Sequence, residues 1–299
     1  MSNIKISICI PTYNRAKYIE RLLNNIIDQK FHGLEVVIVN DGSKDNTSEI
    51  VSSYESNLRL NYFFQENQGR AVALKKAIEL ANGEYIIIMD DEDLFVENAF
   101  STIIKNIEQL KILINNSDKE IAGFVFLCED VHGKLIGNKF PNSFFVTNMV
   151  SINADNKIIG DKKQIIKTEY LKKVLYDVYP NERRMPTYIL WSRLSKDYNV
   201  VFINEIVVIK EYLLEGLTKN IDKIRIKSPM SSKLIYKELI ELNSDIYKSR
   251  LYRIKNAVNF HRYNFHSNVK TSVKTNFLFN TIGYLLGYLV YKLDCYKYL

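Results

Sequence analysis

The sequence predicts an α/β protein: a mostly parallel sheet flanked by helices, with a C-terminal helical extension. Three observations predict it. Strand and helix patterns alternate over roughly the first 110 residues, as in βαβ units. The strand segments are continuous apolar runs, which suits strands buried on both faces. Polar clusters follow three of these runs, and ligands of such sheets bind at the carboxyl ends of strands.

Ile4 to Ile10 is an Ile-rich strand, closed by Pro11-Thr12-Tyr13-Asn14. Ala16 to Gln29 has apolar residues at helical spacing, at Ile19, Leu22, Leu23, Ile26 and Ile27. Glu35 to Val39 is a second strand, closed by Asn40-Asp41-Gly42-Ser43. Helix signals run from Asp45 to Tyr54, a third strand from Leu58 to Phe64, and a helix from Gly69 to Ala81 with Asn82-Gly83 as its stop. Tyr85 to Met89 is a fourth strand and Glu97 to Leu113 a helix. The middle is less regular. Gly123 to Asp130 is a strand, and His132-Gly133-Lys134 reads as a hairpin turn into another. Lys167 to Leu175 and Tyr188 to Lys196 are helical, and Val200 to Glu205 and Val207 to Tyr212 strand-like. From Asp222 onward helices are expected.

The bulk numbers narrow the class. In 299 residues, 46% are apolar and 25% charged, an ordinary globular composition with material for a sizeable core. Cys9, Cys128 and Cys295 are too few and too scattered for a disulfide framework or a zinc site, which suits a reducing compartment. Met1 to Lys5 lead straight into a strand, so no signal peptide is expected. The net charge of +7 is uneven. Residues 220–299 hold 14 Lys/Arg against 5 Asp/Glu, so this segment carries all the basic excess and suits an anionic surface. No nucleic-acid-binding motif accompanies it, so nucleic acid is not expected as a partner. His32, His132, His261 and His266 form no ligand set.

The chemistry concentrates at Asp90-Asp91-Glu92-Asp93, directly after the fourth strand. Four adjacent carboxyls repel unless something positive lies between them. Mg²⁺ often binds through one or two carboxylates plus substrate phosphates. Taken alone, the run reads more simply as a solvated turn with Asp93 as a helix cap. Asp41-Gly42-Ser43 alone reads as a turn, and Asn67-Gln68-Gly69 as a loop and cap. Convergence of all three on one sheet edge argues for a site. No Gly-x-Gly-x-x-Gly or Gly-Lys-Ser/Thr loop follows the first strand, which weighs against dinucleotide binding and phosphate-loop ATP hydrolysis. A nucleotidyltransferase would need a Gly-rich basic loop there as well.

Pro11-Thr12-Tyr13-Asn14-Arg15, Val39 to Asp45, Asn67-Gln68-Gly69-Arg70, Ala81 to Ile86 and the acidic run together resemble glycosyltransferase family 2 over about the first 100 residues. The resemblance implies a Rossmann-like glycosyltransferase-A fold binding a nucleotide-diphosphate sugar, most often a UDP-sugar. On it, Pro11, Thr12, Tyr13 and Arg15 would line the nucleotide pocket, and Asp41 would accept from the uracil N–H. Asn67, Gly69 and Arg70 would border ribose and diphosphate, with Asp90 and Asp91 nearby. A Mn²⁺ or Mg²⁺ ion would sit on Asp90, Glu92 and Asp93. The family's Asp-x-Asp becomes Asp90-x-Glu92 here, and the register Asp91-x-Asp93 stays open.

The resemblance also implies a carboxylate base four residues before a Trp. Here Thr187 holds that place before Trp191, and a hydroxyl takes no proton near pH 7. Glu182, Glu211 and Glu215 are the carboxylates left to consider. The expected organisation is a catalytic domain over 1–219, divided into a nucleotide-sugar side (1–110) and an acceptor side (111–219), and a basic helical tail over 220–299. The expected reaction is inverting, metal-dependent sugar transfer from a UDP-sugar to a saccharide acceptor, lipid-linked, in cell-surface polysaccharide assembly. The alternative is a nucleotide-sugar-binding protein without catalysis. The apolar, Tyr-rich Asn276 to Leu293 is shorter than the ~20 residues of a spanning helix. Behind basic residues it suits the membrane interface, with peripheral contact through 250–299, or else a helix packed on the catalytic domain or in a dimer contact. The expected location is the cytoplasm, at the inner face of the plasma membrane, with oligomerisation left open.

Overall fold

Strand β1 (Ile6–Thr12) is buried along its whole length and forms the centre of a parallel half-sheet. A computed structural model describes residues 5–111, 119–212 and 221–298. After β1 come α1 (Ala16–Asp28), β2 (Leu34–Asn40), α2 (Thr47–Ser53), β3 (Leu60–Phe64), α3 (Arg70–Leu80), β4 (Tyr85–Ile88), β5 (Leu94–Phe95) and α4 (Ala99–Lys111). The second half of the sheet region contains β6 (Ile121–Asp130), β7 (Phe145–Thr147), α5 (Ser151–Ala154), β8 (Lys162–Lys167), α6 (Thr168–Lys173), α7 (Tyr188–Asp197) and β9 (Asn199–Lys210). Four helices follow: α8 (Ile221–Lys227), α9 (Pro229–Glu241), α10 (Arg250–His266) and α11 (Phe277–Tyr298).

The described chain separates into two compact units. The first contains Met1–Thr147, Ile158–Leu175 and Asp197–Tyr212, and the second Asn148–Lys157, Tyr176–Lys196 and Leu213–Leu299. The expected boundary at 219/220 therefore falls elsewhere. Two excursions from the middle of the chain, including all but the last residue of α7, join the C-terminal helices.

The first unit holds all nine described strands, in the order β3-β2-β1-β4-β8-β6-β9-β5, with β7 also paired to β9. The alternation of the first 110 residues makes the parallel part, β3-β2-β1-β4. The rest is mixed, because β8 runs antiparallel between β4 and β6. Strand β8 reads Lys-Lys-Gln-Ile-Ile-Lys, which carries no clear strand period. It approaches β6 closely at Gly123, where any Cβ would overlap the Ile165 carbonyl. The two strands expected over 200–212 are one strand, β9. Its register shifts against β6 near Leu127 leave Glu205 bulged to solvent. The turn at Gly133 forms, with φ +75°, but only a single bridge, Glu129 to Leu135, follows it instead of a strand. The helix expected to Leu113 is described to Lys111.

One apolar core binds this unit. Ile6, Ile8 and Ile10 of β1 pack with Ile19, Leu22, Leu23 and Ile26 of α1 and with Phe100, Ile103 and Ile107 of α4. In the second unit α10 packs between α9 and α11 around Ile240, Ala257 and Phe260.

Candidate active site

The carboxyl ends of β1, β2 and β4 adjoin, because these strands are neighbours in register. This places Thr12, Asp41 and the acidic run on one edge. Asp41 is buried and works hard there. Its Oδ1 accepts from Gln65 Nε2 at 2.8 Å and from the Gln68 N–H at 2.9 Å, and its Oδ2 accepts from the Gly69 N–H at 2.8 Å. Asn67 Nδ2 donates to the Asp41 carbonyl at 2.8 Å. One aspartate thus shapes the loop leading into α3, and three donors leave a carboxylate lone pair over. Gly42 must be glycine: its φ is +79°, and a Cβ would come within 2.8 Å of the Asn67 nitrogen.

The loops after β1 and β2 are joined. Asn14, in the left-handed region at φ 51°, accepts from the Lys44 N–H at 2.7 Å, and Ser43 Oγ accepts from the Asn14 N–H at 2.9 Å. Pro11 is buried at the end of β1, while Tyr13 stands exposed with its ring available for stacking. Arg15 begins α1, its guanidinium 5.2 Å from the Tyr18 ring centre.

Each residue of the acidic run has its own environment. Asp90 is paired with Arg70 and lies 3.5 Å from Lys210 Nζ. Burial opposes ionisation there, but the charges of Arg70, Lys210 and Lys163 hold its carboxyl well below the usual range. Asp91 is buried and accepts from Thr12 Oγ1 at 2.7 Å. Burial, with Glu92 alongside, pushes its carboxyl well above the usual range. The Glu92 side chain is half-buried, and its carbonyl accepts from Arg21 at 2.6 Å. Asp93, only 1% exposed, pairs with Lys210 at 2.6 Å through Oδ2, while its buried Oδ1 has no hydrogen-bond partner.

The sequence reading did not assign three basic groups at this edge. Lys210 ends β9 and bridges Asp90 and Asp93. Lys163 of β8 is buried, donates to the Ile88 carbonyl at 2.9 Å, and is held below the usual lysine range by burial and by Lys210. Arg21 joins the Glu92 carbonyl to Glu211, whose carboxylate lies 2.6 Å away. The available signal was a lysine inside or at the end of an apolar strand, which needs an acidic partner.

Among the described residues no three His, Cys, Asp or Glu side chains converge as a protein-only cage. The set fits the other mode, in which one or two carboxylates share the ion with ligand phosphates. Asp90, ionised and a third exposed, and the half-buried Glu92 suit it. Asp93, expected at the metal, is instead buried against Lys210.

The base candidates separate. Glu211 lies in the sheet unit, next to Lys210. Glu182 lies in the other unit and is buried there, and its carboxylate accepts from the Met230 N–H, the Ser231 N–H and Ser231 Oγ at 2.6–2.7 Å. It anchors the start of α9. Thr187 directly precedes α7, on which Trp191 is buried. Glu215 lies outside the described residues.

The fold and edge define a class: a Rossmann-like sheet of the glycosyltransferase-A type, with an acidic turn after its fourth strand. Residues 7–124 match the model of Glycosyl transferase family 2. Glycosyltransferase GlyG of Streptococcus pneumoniae is 35% identical over 106 residues, covering 35% of each chain. The putative teichuronic acid biosynthesis glycosyltransferase TuaG of Bacillus subtilis is 27% identical over 253 residues, 81% of this chain and 92% of that one. Against several other curated relatives the match spans about a quarter of their length; an uncharacterised glycosyltransferase of Rickettsia bellii matches over 21% of its own. Solved structures share the fold. S. aureus TarS in complex with UDP-GlcNAc superposes with a TM-score of 0.59 at 20% identity, covering 88% of this chain and 73% of that one. The mannosyltransferase PcManGT of Pyrobaculum calidifontis, in complex with GDP-Man and Mn²⁺, gives 0.55 at 18% identity, covering 99% and 82%.

Proposed function

We propose that this protein transfers a sugar from a UDP-sugar to a saccharide acceptor, with inversion, in cell-surface polysaccharide assembly. The acceptor is lipid-linked and met at the inner membrane face. The observation that carries the reading is the shared edge of Asp41, Thr12, Arg70 and Asp90, within a family 2 domain. There Tyr13 stacks on the base and the remaining Asp41 lone pair accepts from the uracil N–H. Pro11 and Arg15 flank the nucleoside, and Asn67, Gly69 and Arg70 border the ribose and diphosphate. Asp90 and Glu92 would hold Mn²⁺ or Mg²⁺ together with the donor's phosphates, and the ion would supply positive charge to the departing UDP. Asp91 holds Thr12, and Asp93 holds Lys210. In the transfer, the acceptor oxygen bonds the anomeric carbon, the bond to UDP breaks, and a base takes the hydroxyl proton. Glu211 is our candidate base, because it is tied through Arg21 to the acidic turn. The capping bonds of Glu182 suit a structural role.

Calorimetry with UDP tests the donor half: tight binding with Mn²⁺ or Mg²⁺, weaker binding in chelator, and preference over GDP are expected. Asp41→Ala should weaken it about 10- to 100-fold, the worth of hydrogen bonds to a charged group. Absence of UDP binding with metal present overturns the reading. For transfer, Glu211→Gln should abolish UDP release stimulated by acceptor while leaving UDP binding intact. A second reading, donor binding without transfer, is favoured by Thr187 at the start of α7. It predicts turnover only after Thr187→Asp.

A further inference from the structure

Helix α11 inverts the polarity of an ordinary surface helix. Its face toward α10 combines glycines and polar groups with Tyr284, Tyr288 and Tyr291, whose rings pack against Phe265. A Cβ on Gly283 would meet Ala257 at 2.6 Å, and one on Gly287 would meet the Val258 carbonyl at 2.7 Å. Asn280 Oδ1 lies 2.9 Å from His261 Nε2. Asp294 takes two 2.6 Å hydrogen bonds from Arg262 and lies 3.0 Å from His266. The polar side chains that a helix usually turns to water are therefore used inside this unit. The outward face is apolar: Leu278, Leu285, Leu289 and Leu293 are 59%, 60%, 58% and 66% exposed. Their spacings of seven, four and four residues keep them on one stripe, which Tyr296 extends. Single exposed leucines are ordinary, but a continuous stripe along a 22-residue helix is not.

We propose that α11 lies flat on an anionic lipid surface, with its leucine stripe in the acyl boundary. Charge selects lipid over a second copy of the chain. Exposed Lys274 precedes the helix, and exposed Lys292 and Lys297 stand on its last turns. Lys292 sits on the stripe itself, its ammonium 5.5 Å from the centre of the Tyr288 ring. A two-fold self-pair would bring these lysines together, whereas phosphate headgroups would neutralise them while their stems follow the apolar phase. One-sided apolarity suits a helix in the interface plane. No described helix is long and apolar enough to cross a membrane. This inference deepens the lipid-linked-acceptor reading by naming the surface that meets the membrane.

The test uses the full chain with phosphatidylcholine vesicles, with and without phosphatidylglycerol. Sedimentation with the anionic vesicles is expected, reduced roughly tenfold or more by Leu285→Asn with Leu289→Asn. Those side chains are already exposed, so circular dichroism should be unchanged. Leu289→Trp should blue-shift on binding and be quenched by brominated lipid. Wild type that ignores anionic vesicles overturns the inference. So does a double variant that binds like wild type, or a wild-type dimer in light scattering that the double variant splits. UDP calorimetry on the wild-type chain separates the two readings: vesicle binding without UDP binding sinks the donor assignment and leaves this one standing, and UDP binding without vesicle binding does the reverse.

Discussion

Lys210 serves two carboxylates at once, Asp90 at 3.5 Å and Asp93 at 2.6 Å, and among the described residues Asp93 has no other cation as close. Replacing it by Met leaves the buried Asp93 carboxyl without its ion-pair partner. Lys210→Met should cost about 3–5 kcal/mol in urea unfolding, the range for breaking a buried pair from one side, and should also weaken UDP binding. Glu35 gives the pH counterpart away from the site. Burial would raise its carboxyl, but Ser7 Oγ and the Asn82 backbone and side-chain N–H groups donate to it and hold it below the usual range. Its folded value is depressed, so its contribution is present above the unfolded value of about 4.3 and is lost as pH falls through the folded one. Glu35→Gln should cost about 1–2 kcal/mol near neutral pH. The gap from wild type should close as pH falls through the depressed folded value, in urea midpoints measured across pH.

At the level of elements, two close approaches depend on glycine. Gly123 lets β8 pair with β6, and Gly283 with Gly287 lets α11 lie against α10. Gly283→Val should push the helices apart and cost about 1–3 kcal/mol, the usual cost of overpacking. Hydrogen exchange should report it as faster exchange across α10 and α11. The parallel elements were legible because their apolar runs are long and their stops are Pro-Thr-Tyr-Asn, Asn-Asp-Gly-Ser and Asn-Gly. Strand β8 was not, since Lys163 puts an ammonium into the core side of a strand and its partners come from β4 and from the acidic turn. The bulge in β9 hid for the same kind of reason: Glu205 breaks the apolar run, yet the strand continues on both sides of it.

For the whole molecule, the two compact units imply uneven stabilisation by ligand. UDP with Mn²⁺ at 100 times its Kd should stabilise the unit that binds it by about 2.7 kcal/mol. Protection from hydrogen exchange should gather at residues 11–15, 41–43, 65–70 and 90–93, leaving α8 to α11 unchanged. Protection of the C-terminal helices instead would place the donor elsewhere. The expected linear division at 219/220 missed that residues 148–157 and 176–196 belong with the C-terminal helices. Chain order carries no information on such excursions; they follow from where apolar surface finds a partner.

The sequence by itself determined the parallel half of the sheet. Residues 5–95 form their strands and turns from local apolar runs, and the polar stops Thr12, Asp41 and Asp90 to Asp93 must then meet at one edge, because parallel neighbours in register end together. Only the tertiary structure decided what those carboxylates face. Arg70, Lys163 and Lys210 come from three distant segments and divide the acidic run into an ionised Asp90, a Thr12-bound Asp91 and a lysine-bound Asp93. Electrostatic environment depends on burial and distance in space, and neither is written in the spacing of residues along the chain.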